Sequence, residues 1–147
     1  MPVVSLRDEI TGLLALAERH WPVEATDVRD YLAHRATAIT HARSSLDIPS
    51  WATSFGDSRD TYLELGGDVA GVRIPYGDRD GLYVELYVAN GTTKDVEAAS
   101  GPLRATPRIH FDSPQGWIAY PIVNQHTLRV LVDISNQRMV VSLHFEH

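Results

Sequence analysis

Two histidine–carboxylate pairs stand at alternate positions in this chain, His110 with Asp112 and His144 with Glu146. An imidazole oriented by a carboxylate is a common unit of general acid–base catalysis, because its pKa lies near neutrality and its partner sets its tautomer. The residues between and before them are apolar: Ile109 and Phe111 in the first pair, Leu143 and Phe145 in the second. Strand side chains alternate between faces, so each pair shares one face and the apolar residues share the other. If the two strands are neighbours, His110 as acid or base and Asp112 as its orienter, with His144 and Glu146 beside them, make a candidate catalytic surface. The same spacing also describes the solvated side of an amphipathic strand. No nucleophile, serine elbow or glycine-rich phosphate loop accompanies it.

A second group is aromatic. Tyr83, Glu85 and Tyr87 alternate with Val84, Leu86 and Val88, and Tyr62 and Tyr120 hold similar alternate positions. A wet sheet face usually carries shorter polar residues. Tyrosine joins a large apolar area to a polar tip, the combination enriched where proteins meet. Tyr83, Glu85, Tyr87 and Tyr120 are therefore expected to form a partner-binding face, unless helices or sheet curvature bury it.

Other chemistries fail on spacing. His34 and His41 share a helical face but stand two turns apart, without the one-turn partner that helical metal ligands have. The Asp78-Arg79-Asp80-Gly81 stretch puts Tyr76 and Tyr87 where a calcium loop needs carboxylates, so it reads as a turn. Glu85 is followed two residues later by Tyr87, not by the lysine of an Asp…Glu-x-Lys nuclease. No metal and no cofactor is expected.

The formal net charge of −6 disfavours a phosphate backbone and suits a basic protein partner. Arg35, Arg43, Arg104 and Arg108 form no basic stripe. With no cysteine, there is neither a disulfide framework nor a thiol nucleophile, which fits a reducing compartment. No apolar run approaches a bilayer span, and Arg7, Asp8 and Glu9 break the order of a secretory signal. The expected location is cytoplasmic, with no membrane and no nucleic acid among its partners.

These residues need elements to hold them. Ser5 followed by Asp8 caps a first helix, and Leu6, Ile10, Leu13, Leu14, Ala17 and Trp21 give it one apolar stripe before Pro22. A second helix is expected to begin after Thr26, with Asp27 and Asp30 in its first turn, and to end near Ser44-Ser45, with Val28, Tyr31, Leu32, Arg35, Ile39 and Ala42 as its stripe. The short link predicts an antiparallel pair. From Trp51 onward the period changes to two. Strands are expected at Thr61–Leu65, Val69–Tyr76 and Leu82–Ala89, with Trp51–Phe55 a short strand or loop. Asn90-Gly91 signals a turn into Thr93–Ser100, which reads as a returning strand or a helical turn. Arg108–Asp112 and Trp117–Ile122 flank Ser113-Pro114-Gln115-Gly116 as a hairpin. Leu128, Val130, Val132 and Ile134, then Met139, Val141, Leu143 and Phe145, predict a final hairpin.

The expected fold is α+β: an N-terminal antiparallel helix pair packed on a mostly antiparallel meander sheet of about six to eight strands. It is expected as a single domain over residues 1–147, with the helical pair in 1–48 and the sheet in 51–147. The length and a composition 44% hydrophobic and 22% charged allow such a core without disulfide or metal. The expected function is a small acidic protein-binding module, of the inhibitor or immunity type that neutralises a partner. The alternative is an enzyme or small-ligand carrier with a pocket between the helices and a curved sheet, using the His–carboxylate pair. Self-association is compatible with either, since a meander leaves open edges.

Overall fold

A computed structural model describes residues 4–41, 59–76, 81–105, 115–119, 126–133 and 138–146. For 105, 115–119, 126–133, 138 and 146 the description is of the backbone alone.

The first helix, α1, spans Leu6–Arg19, and the Ser5 side chain accepts the Asp8 N–H at 3.1 Å as expected for a cap. Leu6, Ile10, Leu13, Leu16 and Ala17 are its buried face. Trp21, read as part of that stripe, lies beyond the helix and is exposed, and Leu16 takes the inner position.

Helix α2 covers Ala25–Ala33, opened by a capping box in which the Glu24 N–H donates to Asp27 at 2.9 Å. It runs antiparallel to α1: Arg35, just past its end, pairs with Glu9, and Tyr31 lies against Gly12. The expected continuation to Ser44-Ser45 does not occur. Residues 38–40 instead form strand β1, Ala38–Thr40, and the Thr37 N–H donates to the Glu64 carbonyl at 2.8 Å. Two threonines and an isoleucine in four residues favour extended backbone, and a neighbouring strand supplies the ladder that a helix would forgo.

The remaining strands are β2 (Thr61–Glu64), β3 (Val69–Ile74), β4 (Gly81–Val88), β5 (Arg104–Ala105), β6 (Gln115–Ala119), β7 (His126–Asp133) and β8 (Arg138–Glu146). Every pairing is antiparallel, in the order β1-β2-β3-β4-β8-β7-β6-β5. The last strand thus returns to the middle, joining the run β1–β4 to the run β5–β7. Five of these strands, β1–β4 and β8, form the sheet with described side chains, against the six to eight strands expected; β6 and β7 are traced by backbone pairing alone, and β5 adds only the side chain of Arg104.

The final hairpin forms as expected, and its register sets Leu128 opposite Leu143, Val130 opposite Val141 and Val132 opposite Met139. Gln115 and Gly116, expected in a turn, instead belong to β6 and pair with Val132 and Leu131, while Ser113 and Pro114 lie outside the described residues. The segments 51–55 and 108–112 lie outside the described residues.

Thr93–Ser100 resolves as helix α3. The Thr92 N–H donates to Asp95 at 2.8 Å, and Gly101, at φ 94°, ends it. Asn90-Gly91 therefore leads into a helix, not a hairpin. Gly91 has φ 153°, and a Cβ there would meet Leu6 of α1 at 2.8 Å. The proposed partition into a helical 1–48 and a sheet 51–147 is crossed twice, by β1 and by α3.

One core joins these layers. Leu6, Ile10, Leu13, Val28, Leu32 and Val96 from the helices meet Leu63, Val72, Val84, Leu86, Val141, Leu143 and Phe145 from the sheet. All are apolar. Among the described residues, no helix is long and apolar enough to cross a membrane.

Candidate functional site

The sheet face turned away from this core is not the solvated surface that alternation alone suggests. Residues paired across a ladder share a face. Tyr62 on β2 stands opposite Arg73 on β3, Arg73 opposite Glu85 on β4, and Glu85 opposite Ser142 on β8. The row continues with the backbone position of Arg129 on β7. Tyr62, Arg73, Glu85 and Ser142 are all buried, as are Tyr87 and Val140 one step along.

Charge is concentrated in this row. Asp60, just before β2, is 1% exposed. Its Oδ2 accepts from Arg73 Nε at 3.0 Å and lies 2.9 Å from Nη2, while Oδ1 accepts the Tyr76 N–H at 2.8 Å. Arg73 Nη1 donates to Glu85. The Asp60 carbonyl lies 2.9 Å from His41 Nδ1, on an exposed ring. Two carboxylates thus share one guanidinium inside the protein, and the fork geometry of arginine is what allows it.

The electrostatics follow from that ratio. Burial pushes the Glu85 carboxyl up to about 7; Arg73 opposes the shift and the charge of Asp60 reinforces it. Burial works against the charge on Arg73, but Glu85 and Asp60 outweigh it and hold the guanidinium above its ordinary value. Burial, then Glu85, raises the Tyr87 phenol as well. The Tyr87 hydroxyl is buried and no described residue meets hydrogen-bond geometry with it, although Arg73 is near enough to act on it. A buried polar atom left in this way is uncommon and calls for a cause.

Of the residues singled out from sequence, Tyr83, Glu85 and Tyr87 do share this face. Glu85 and Tyr87 are buried, so neither offers a surface to a protein; only Tyr83 is half-exposed. His144 shares the face too and stacks on Tyr83, ring centroids 4.8 Å apart and 23° between planes. Its strand β8 is paired along one edge with β4 and along the other with β7. His110, Asp112 and Tyr120 themselves lie outside the described residues, as does the side chain of Glu146, whose backbone pairs with Gly81.

Asp60 and Arg73 were not anticipated. Arg73 had a signal: a charged residue between Val72 and Ile74 in a strand is either on a wet face or paired. Asp60 had none, since its role depends on a partner thirteen residues away. Among the described residues, no group of three His, Cys, Asp or Glu is placed to hold a metal ion. No known protein family, curated protein or solved structure matches the chain.

Proposed function

We propose that this chain is a small-ligand-binding protein whose site lies on the polar sheet face around Glu85, with Glu85 positioned to exchange a proton with what binds there. One observation carries the reading: a buried cluster of two carboxylates and one guanidinium lies beside a buried tyrosine hydroxyl that no described residue satisfies. Sites of binding and catalysis collect groups with displaced protonation. This keeps the small-ligand alternative of the sequence reading, with the polar sheet face as its site and Glu85 as its acid–base group. The test is a fragment screen by NMR on tyrosine-labelled protein. Saturable shifts at Tyr87 are expected for at least one chemical class, and their absence from every class overturns the reading.

A second reading has its own observation. Tyr83 is half-exposed on this face, and Ile39 on edge strand β1 and Tyr76 beside the cluster are 45% and 57% exposed. With a net charge of −6, these suit a cytoplasmic protein-binding module of the inhibitor or immunity type for a basic partner, or self-association through a sheet edge. Substituting Ile39→Lys and Tyr76→Ala should then abolish partner capture without altering the melting temperature; unchanged capture argues against it.

A further inference from the structure

Asn90-Gly91 joins β4 to α3, well away from Glu85, and packing gives this pair a chemistry of its own. Gly91 is held to glycine by its surroundings: it has φ 153°, and a Cβ there would stand 2.8 Å from Leu6 Cδ2 and 3.5 Å from Asp95 Oδ2. The residue after Asn90 is therefore the one that hinders its own backbone nitrogen least. Both residues are exposed, and the Gly91 N–H makes no hydrogen bond with any described residue. The Asn90 side chain is held weakly, by one contact of 3.5 Å from Nδ2 to Asp68 Oδ1. Asparagine is thermally labile, and here its amide lies beside an unhindered, unbonded backbone nitrogen. The chain's other asparagines, Asn124 and Asn136, are each followed by glutamine.

We propose that Asn90 is a site of spontaneous covalent modification, converting through a succinimide to aspartate and isoaspartate, and that conversion loosens α3 from the fold. The Gly91 nitrogen attacks the side-chain carbonyl carbon of Asn90. The N–Cγ bond forms, the Cγ–Nδ2 bond breaks, and Nδ2 leaves as ammonia, taking up the Gly91 amide proton through solvent. Water, the sole co-reactant, then opens the ring. Cleavage between the nitrogen and Cγ gives aspartate with the main chain unchanged. Cleavage at the Asn90 carbonyl carbon gives isoaspartate, whose main chain runs through Cβ and Cγ and is longer by a methylene. Either product replaces a donor amide by a carboxylate. Asp68 accepts the Ala89 and Asn90 N–H groups at 2.8 and 3.1 Å, and Asp95 accepts the Thr92 N–H at 2.8 Å in the box that opens α3. A further negative charge in this turn is repelled by both. The isoaspartate also lengthens the chain where Gly91 lies against Leu6 of α1. Only one residue of α3, Val96, is fully buried, so little holds the helix against that change.

The experiment incubates the whole chain in warm neutral buffer, folded and in urea, with peptide mapping by mass spectrometry and separation of the acidic form by anion exchange. In the folded protein, Asn90 should convert several-fold faster than Asn124 or Asn136, to both aspartate and isoaspartate. Asn90→Gln should give no acidic form from that peptide. Hydrogen exchange on the separated acidic form should show the α3 amides exchanging several-fold faster than in unconverted protein, with those of β8 unchanged. Asn90→Asp adds the charge with the main chain intact and should reproduce part of that increase, the remainder belonging to the isoaspartate. Conversion confined to the urea-unfolded chain means that the fold protects the amide, and it overturns the proposal. Conversion of Asn90 no faster than that of the other two asparagines overturns it as well. Equal exchange of α3 in converted and unconverted protein overturns the loosening.

Discussion

Glu85 stands directly across the β3–β4 ladder from Arg73 and accepts a hydrogen bond from its Nη1, while Nε and Nη2 of the same guanidinium hold Asp60. The contact ties two central strands to the residue that leads into β2. It does so on a face where the neighbouring side chains are also buried.

Removing the shared cation should therefore cost far more than a surface ion pair. Arg73→Met leaves two carboxylates facing each other without compensation, and truncating one member of a buried pair costs about 3–5 kcal/mol. Urea unfolding at pH 7.5 should show this as a large drop in midpoint. A loss under about 1 kcal/mol, the range of exposed pairs, would mean that the cluster is solvated in solution.

The protonation of Glu85 makes a directional prediction. Its folded pKa, about 7, lies above the ordinary 4.5. A carboxyl so raised holds its proton more tightly folded than unfolded, so its favourable contribution is complete below 4.5 and is lost as pH rises towards 7. Relative to Glu85→Gln, the wild type should lose up to about 3 kcal/mol of stability across that window and then level off. Chemical unfolding of both proteins at half-unit pH steps checks it. A difference that grows with pH instead would show the carboxylate to be stabilised by Arg73.

Tyr87→Phe deletes only the hydroxyl. Because that group is buried and unsatisfied by the described residues, its removal should leave stability unchanged or raise it by about 1 kcal/mol. Differential scanning calorimetry reads the sign. A clear destabilisation would show that the hydroxyl is well bonded in solution.

On the helical side, Glu9 is 2% exposed within α1 and is held by Arg35 beyond α2. Arg35→Leu strands Glu9 in the core and should cost about 1–3 kcal/mol, reduced from the fully buried case because the arginine is partly exposed. The double substitution Glu9→Leu, Arg35→Leu should recover most of that loss, since a packed apolar pair of similar volume is often as stable. A double-mutant cycle measures the coupling; independent, additive losses would dissociate the two residues.

What local patterns can specify was legible beforehand. The Ser5 cap, the apolar stripe of the first helix and the inward phase of Met139, Val141, Leu143 and Phe145 all follow from spacing, because capping and alternation act within a few residues. Tyr83, Glu85 and Tyr87 share one face for the same reason. Errors came where two local preferences were close. Residues 38–40 could continue a helix or pair with β2, and the ladder prevailed. Thr92 and Asp95 closed a capping box that made α3 a helix.

The sequence by itself determined that this chain opens on helices, mixes helix with antiparallel strands, and carries an apolar core and a tyrosine–glutamate strand face. Tertiary structure alone decided that this face is buried and charged, because β8 inserts between β4 and β7 and the ladder sets Arg73 between Asp60 and Glu85. Alternation states which residues share a side. Only the pairing of distant strands states which of them meet, and burial then sets the energy of that meeting.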